Sequence, residues 1–512
     1  MKKIIFLLLL NLLLFSCARV GAPNGGTRDS LAPKFLGSNI DTTRLNVSRT
    51  VKELRLDFDE YVMLKDFNKN FNVSPPIKKI KKVIPSNLAN KYVLIQWEDT
   101  LQANTTYNFN FGNAIVDNNE SNPLPYFNFA FSTGDKIDDL FVSGTVKDAM
   151  TLIKENQTAK DNKMVVGLYK AGENLDYKQK PDYITKVDEE NYFELNFLPK
   201  GEFVIIAFDD ENQNSVYDAG KEKVSFLKEK ITLDSTSVRG LKLKLYPSKK
   251  VVKYKESKAI NGGLLMIFEG NPETVEVKSL SEDLKDFKVT HAKRSDSVNI
   301  WFDAEKSNLG GTVSKQLKLS YFTPTISDTI SVSYKAVKDE FKLSNEAGNL
   351  IAPENNFVIN TSLPIENLKT SSWKLESDSI AQDFTAKISE KNPFKILVNS
   401  SFKPTKKYVL TIPKETVSSY YSSNDKSFQF QFEIDKPENY GSFTAVIKNK
   451  PTAKFWVELT NEKGEILYSQ FTNASEVSFK NLKPATYIAR IRVDNNGNGF
   501  WDEADFAQNI AA

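Results

Sequence analysis

Apolar and polar side chains alternate with a period of two along most of this chain. In Glu53-Leu54-Arg55-Leu56-Asp57-Phe58-Asp59 the apolar residues fall on one side and the charged ones on the other. Val93, Ile95 and Trp97 repeat the pattern, as do Phe127, Phe129 and Phe131. Such alternation marks a half-buried strand, because successive strand side chains point to opposite faces. Turn-forming clusters separate the runs, among them Ser74-Pro75-Pro76, Ala103-Asn104-Thr105 and Asp117-Asn118-Asn119-Glu120-Ser121-Asn122-Pro123. Short strands at this spacing predict an all-β chain of tandem β-sandwiches.

The pattern divides into five stretches: 34–135, 138–247, 250–360, 361–436 and 440–512. Two pairs of stretches repeat one another. Phe402-Lys403-Pro404-Thr405-Lys406-Lys407-Tyr408 lies over Leu101-Gln102-Ala103-Asn104-Thr105-Thr106-Tyr107 at an offset of 301, and Phe428, Phe430 and Phe432 fall on Phe127, Phe129 and Phe131 at the same offset. Leu482 to Tyr487 lies over Leu198 to Phe203 at an offset of 284, which also sets Asp494 on Asp210. These periods far exceed the ~20–50 residues of a solenoid, so whole folding units recur.

One stretch breaks the alternation. After Met1-Lys2-Lys3, Ile4 to Phe15 is apolar except for Asn11. A membrane-crossing helix needs ~20 such residues, whereas a signal-peptide core is shorter. The stretch ends in Leu14-Phe15-Ser16-Cys17, which resembles a bacterial lipobox and holds the single cysteine of the chain. The resemblance implies a signal peptide over 1–16, a lipidated Cys17 carrying acyl (palmitate-type) chains, and anchoring to the membrane. More than one chain is needed for stable anchoring. Residues 17–33, rich in Gly, Pro and small polar residues, then form a tether. The expected location is the outer membrane. No acidic run follows Cys17, and the leaflet stays undecided.

Two family resemblances follow from ordered motifs. Leu56-Asp57-Phe58-Asp59-Glu60-Tyr61-Val62, Leu101 to Tyr107, Ile115-Val116-Asp117-Asn118-Asn119-Glu120 and Phe129-Ala130-Phe131-Ser132-Thr133-Gly134 resemble the bacterial Ig-like domain of the S-layer-protein type, found at the N-terminus of many Bacteroidetes lipoproteins. That resemblance implies an Ig-like sandwich and no enzymatic activity. In 138–247, Val142-Ser143-Gly144-Thr145-Val146 and a strand, Pro199-Lys200-Gly201 turn and strand ending in Asp209-Asp210 resemble the prealbumin-like, carboxypeptidase-regulatory-like β-sandwich. Its modules serve as spacers or binding platforms. Residues 440–512 share the ending of that unit. Residues 250–360 carry no motif and are expected to form a further sandwich, and 361–436 a second Ig-like one.

Composition narrows the chemistry. Net charge is +3, from 68 Lys+Arg against 65 Asp+Glu. The densest basic run, Lys78-Lys79-Ile80-Lys81-Lys82, is read as a solvated loop or edge strand, so no nucleic-acid partner is expected. With Cys17 lipidated the folded part has no cysteine and no disulfide. His291 is the only histidine, too few for a zinc site. No Gly-x-Ser-x-Gly elbow accompanies it, and no catalytic residue is assigned.

The sharpest motif is Asp494-Asn495-Asn496-Gly497-Asn498-Gly499-Phe500-Trp501-Asp502-Glu503-Ala504-Asp505. Asp494, Asn496, Asn498, Asp502 and Asp505 have the spacing of calcium ligands. In the first copy, Asp210, Asn212, Asn214 and Asp218 keep four of those places, with Ser215 where the second has Gly499. The alternative for both loops is an Asx-rich turn bonded to its own backbone. Calcium would be a stiffener and is not required. Asp117-Asn118-Asn119-Glu120 is read as a plain loop. Trp97, Trp301, Trp373 and Trp456 lie in alternating strands and are read as core, and Trp501 as an exposed contact. The expectation is a non-enzymatic, lipid-anchored cell-envelope protein with a structural or adhesive role. The alternative is a glycan- or protein-binding accessory lipoprotein of an outer-membrane uptake or secretion system. The envelope protein or glycan it meets is not identified by the sequence.

Overall fold

The structure, a computed structural model, describes residues 29–150, 163–172, 175–337, 339–346 and 348–511. The leader, Cys17 and most of the tether lie outside the described residues. The chain forms two compact units. The first holds the sandwiches built from the first two stretches; the second holds Lys244 onward with two short preceding segments.

In the first sandwich one sheet runs Phe35–Ser38, Glu53–Leu64, Asn90–Trp97, Ile80–Ile84, with Ile115–Asp117 also pairing Glu53–Leu64. The basic run therefore ends in an edge strand. The facing sheet is Asn72–Ser74, Thr106–Gly112, Phe127–Ser132. The alternating residues meet as expected: Leu54, Leu56, Phe58, Val93, Ile95 and Trp97 pack against Phe109, Phe111, Phe129 and Phe131. Apolar burial at ~25 cal/mol per Å² is the main stabilising term, since no disulfide is present in the folded part.

The second sandwich pairs Tyr183–Lys186, Met164–Lys170, Gly201–Asp209 and Ile231–Leu233 in one sheet, and Tyr192–Leu198, Leu140–Asp148 and Val238–Leu245 in the other. Gly144 is needed there. A Cβ on it would stand 2.2 Å from the Leu241 carbonyl oxygen of the neighbouring strand. This sandwich leans on the first: the Ile184 N–H donates to Ser74 Oγ at 3.2 Å, and Thr106 Oγ1 donates to Asp138 at 2.9 Å.

The second unit contains three sandwiches. In the first of these, Lys253–Ile260, Gly263–Glu269, Ser297–Trp301 and Lys288–His291 face Glu276–Ser279, Lys315–Phe322 and Ser327–Tyr334. Leu264, Met266, Phe268, Leu317, Leu319 and Tyr321 fill the space between. In the next, Phe357–Thr361, Asn392–Ser400 and Phe384–Ser389 face Phe428–Ile434, Lys407–Ile412 and Lys374–Ser377. The 301-residue repeat is structural: Tyr107 pairs with Phe131 and Phe109 with Phe129, just as Tyr408 pairs with Phe432 and Leu410 with Phe430.

The last sandwich is small. Ile466–Thr472, Phe455–Thr460 and Ile488–Val493 form one sheet, and Gly441–Val446 with Glu476–Leu482 the other. Its core is Phe455, Val457, Leu459, Val477, Phe479 and Leu482. Neighbouring sandwiches of this unit also touch. The Trp301 and Phe394 rings lie 6.0 Å apart, and Asn481 Nδ2 donates to the Pro353 carbonyl at 2.7 Å.

Candidate functional site

The Asp494 loop follows directly on the strand Ile488–Val493. Asp494 is buried, 2% exposed, and its carboxylate caps the loop: Oδ1 accepts the Asn498 N–H at 3.2 Å and Oδ2 the Gly499 N–H at 2.9 Å. Asn496 Oδ1 accepts from Asn498 and Asn498 Oδ1 from Phe500. The first copy repeats this bond for bond. Asp210, 3% exposed, accepts the N–H groups of Asn214 and Ser215, both at 3.0 Å, while Asn212 Oδ1 accepts from Asn214 and Asn214 Oδ1 from Val216. Gly497 and Gly499 have φ of 73° and 78°, and their counterparts Gln213 and Ser215 have φ of 59° and 60°. The fold of these loops is thus an Asx-turn network with two left-handed positions.

The structure brings Asn496, Asn498 and Asp502 together, while Asp505 and Asp218 are engaged elsewhere. Asp502 accepts from Asn496 Nδ2 at 2.8 Å and Asn498 Nδ2 at 3.0 Å, and from Arg294 Nη1 at 2.8 Å. Asp505 Oδ1 accepts the Gln508 N–H at 3.2 Å, and its other oxygen stands 4.0 Å from Lys249 Nζ. The Asp218 N–H donates to Glu222 at 2.9 Å. Among the described residues, Asp494, Asp502 and Asp505 do not form a carboxylate group suited to a metal ion, and neither does any other set of three His, Cys, Asp or Glu. The Arg294 guanidinium stands on Asp502, one of the expected calcium ligands.

Arg294 also donates to Glu273 at 2.6 Å, and its guanidinium lies 4.7 Å from the Phe500 ring centroid. Glu273 is held below the usual carboxylate range: partial burial pushes it up, but the bonds and charges of Arg294 and Lys293 outweigh that. The loop is therefore clamped by charge and ring contact to the sandwich that carries Arg294.

Asp117 forms a third self-capped loop. It is 1% exposed and takes four backbone N–H groups, from Asn119, Glu120 and Ser121 on Oδ1 and Asn122 on Oδ2. Burial would raise its carboxyl, but these four donors hold it below the usual range. His291 ends its strand and bonds through Nε2 to the Ser295 carbonyl at 3.0 Å. A groove lined by Glu282, Asp283, Asp286 and Asp303 also holds Lys285 and Lys306. Asp303 pairs with Lys306 and Asp283 with Lys315, both at 3.5 Å, and Asp286 accepts from Tyr421 Oη at 3.1 Å.

The tryptophans require two corrections, at Trp456, which is not core, and at Trp501, which is half-buried and not exposed. Trp97, Trp301 and Trp373 are buried, at 2%, 4% and 5% exposed. Trp456 is not core. Its strand turns Phe455, Val457 and Leu459 inward, so parity sends Trp456, Glu458 and Thr460 to the opposite face. There Trp456 stacks on Phe471, centroids 4.4 Å apart. Arg492 lies 5.8 Å from the Trp456 centroid and 5.5 Å from that of Trp501, and Lys454 Nζ lies 5.6 Å from that of Phe471. Glu458, fully buried, takes hydrogen bonds from Arg490 and Arg492 beneath the rings. Trp501 is half-buried, 6.3 Å from the Tyr246 ring. The result is a ladder of aromatic plates and cations on one face of the last sandwich, suited to contact. Strand parity in Phe455–Thr460 and the Arg490, Arg492 alternation were the sequence signals for it.

The family comparison agrees with the fold of the first sandwich. Residues 29–133 match the family model described as bacterial Ig-like domain. No curated protein matches the chain significantly. Among solved structures, the S-layer protein rSbsC(31-844) is 12% identical over 91% of this chain and 67% of its own, with a TM-score of 0.16. A Bacteroides ovatus protein of a mixed-linkage glucan utilization locus, SGBP-B, solved with a mixed-linkage heptasaccharide, is 9% identical over 70% of this chain and 93% of its own, with a TM-score of 0.21. Titin domains I67-I69 are 10% identical over 59% of this chain and 97% of theirs, with a TM-score of 0.13. The chain is an all-β array of tandem sandwiches, and its residues 29–133 are similar to a bacterial Ig-like domain.

Proposed function

We propose that this chain is a lipid-anchored protein of the bacterial cell envelope that works by contact and not by turnover. Its modules serve a structural or adhesive role. The observation that carries the reading is how sandwiches within a unit are joined. Ser74 to Ile184 and Thr106 to Asp138 tie the first pair, and Trp301 to Phe394, Asn481 to Pro353 and Arg294 to Asp502 tie sandwiches of the second unit. Side-chain contacts at each joint suit modules that hold a surface in place. The lipid comes from the lipobox resemblance at Cys17, and outer-membrane placement follows from it.

Cys17→Ser is expected to release the protein from the membrane fraction, and cross-linking in intact envelopes to capture a protein or glycan neighbour. Unchanged membrane partitioning of the Cys17→Ser form rejects the anchor. Hydrolysis of an envelope polysaccharide by the purified chain rejects the contact role.

A further inference from the structure

Edge strands leave backbone N–H and C=O groups open to pairing, and proteins guard them with charges, short length or cover. Most edges of this chain are guarded. Ile80–Ile84 carries Lys81 and Lys82, Lys253–Ile260 carries four charged residues, Ser327–Tyr334 carries Asp328, Phe384–Ser389 carries Lys387, and Ile488–Val493 carries Arg490 and Arg492. Phe127–Ser132 is uncharged but largely buried.

Ile466–Thr472 departs from this rule. Its seven residues, Ile-Leu-Tyr-Ser-Gln-Phe-Thr, include no charge and no proline, and it ends its sheet. Ile466, Leu467 and Phe471 are 45%, 47% and 42% exposed. Other uncharged edges with exposed apolar residues are shorter: Phe35–Ser38 has four residues, and Gly441–Val446 of the same sandwich has six and begins with Gly and Ser.

We infer that Ile466–Thr472 pairs antiparallel with the same strand of a second copy of this chain, joining two three-stranded sheets into one. The sequence of the strand is self-complementary. A two-fold axis at Ser469 sets Leu467 of each copy opposite Phe471 of the other, on one face, with a small residue at the axis. A charge near the axis would oppose its own copy, and the strand has none. One strand pair is smaller than a standard interface of ~1,600 Å², so it is weak in free solution and gains from tethering both copies to one surface. This deepens the contact role proposed above and relies on its anchor for strength.

The test is disulfide trapping in envelopes of cells expressing the full chain. Ser469→Cys is expected to form a covalent dimer about tenfold faster than Ser371→Cys, an exposed control in another sandwich. Adding Leu467→Lys, a charge on an exposed side chain that leaves the core intact, is expected to abolish the difference. Equal rates for the two cysteine variants, no effect of Leu467→Lys, or an adduct of Ser469→Cys with a different protein only would each overturn the inference. A dimer of the unaltered chain reports a free Cys17 and counts against the anchor alone; the same comparison in the Cys17→Ser background then decides the pairing.

Discussion

Tyr107 and Tyr408, 301 positions apart, make the same hydrogen bond. The Tyr107 hydroxyl accepts the Gln102 N–H at 2.9 Å, and the Tyr408 hydroxyl accepts the Lys403 N–H at 2.8 Å. Each ring stacks on the partner-strand phenylalanine, Phe131 at 5.9 Å and Phe432 at 5.6 Å. A hydroxyl returning to backbone a few residues upstream is the corner device of Ig-like sandwiches. Tyr107→Phe and Tyr408→Phe are each expected to lower stability by about 1 kcal/mol, since each leaves a backbone N–H without its acceptor. Urea unfolding of the two variants measures this; no change in either would show that the corner is dispensable.

Asp117 makes the stability of the first sandwich depend on pH. Its carboxyl lies below the ordinary value in the folded state. The stabilisation is therefore complete above the unfolded value of about 4 and fades as pH falls through the lower folded value. Asp117→Asn, which loses the charge that four N–H groups face, is expected to cost about 2 kcal/mol at neutral pH. The gap to the unaltered protein should close in strong acid. A gap independent of pH would assign the loss to packing.

The Asp210 loop is strained where the Asp494 loop is not. Ser215 holds a left-handed φ of 60° that Gly499 adopts at 78° in the other copy. Only glycine takes that conformation without crowding its Cβ. Ser215→Gly is expected to stabilise the protein by about 1 kcal/mol and Gly499→Ser to destabilise it similarly. Denaturant midpoints of the two variants should move in opposite directions.

Arg294 places a positive charge on Asp502, one of the residues with the spacing of calcium ligands. The unaltered chain is expected to melt at the same temperature in chelator and in millimolar calcium. Arg294→Ala leaves Asp502 beside the capped Asp494 loop without its counter-charge, and this variant is expected to melt lower and to be stabilised by calcium. Differential scanning calorimetry distinguishes the cases: a calcium response in the unaltered chain would show that metal displaces Arg294.

The strands were legible because burial on one face imposes a period of two that survives in any tertiary context, as at Leu54, Leu56 and Phe58. The Asx loops were legible as one of two readings, because Asp and Asn followed by left-handed positions bond to their own backbone whether or not a metal is near. Trp456 departs from the core expectation because its strand has large side chains on both faces: aromatic size says core, while parity with Glu458 places it on the face opposite Phe455, Val457 and Leu459.

By itself the sequence determined the all-β class and the duplication at offsets of 301 and 284, since each depends on residues close in the chain or on a pattern copied intact. Tertiary structure alone decided that Arg294 meets Asp502 across 208 residues, which faces of the last sandwich are left outside, and which edge carries no guard. Those outcomes depend on how separately folded sheets are brought together, and no local periodicity encodes that.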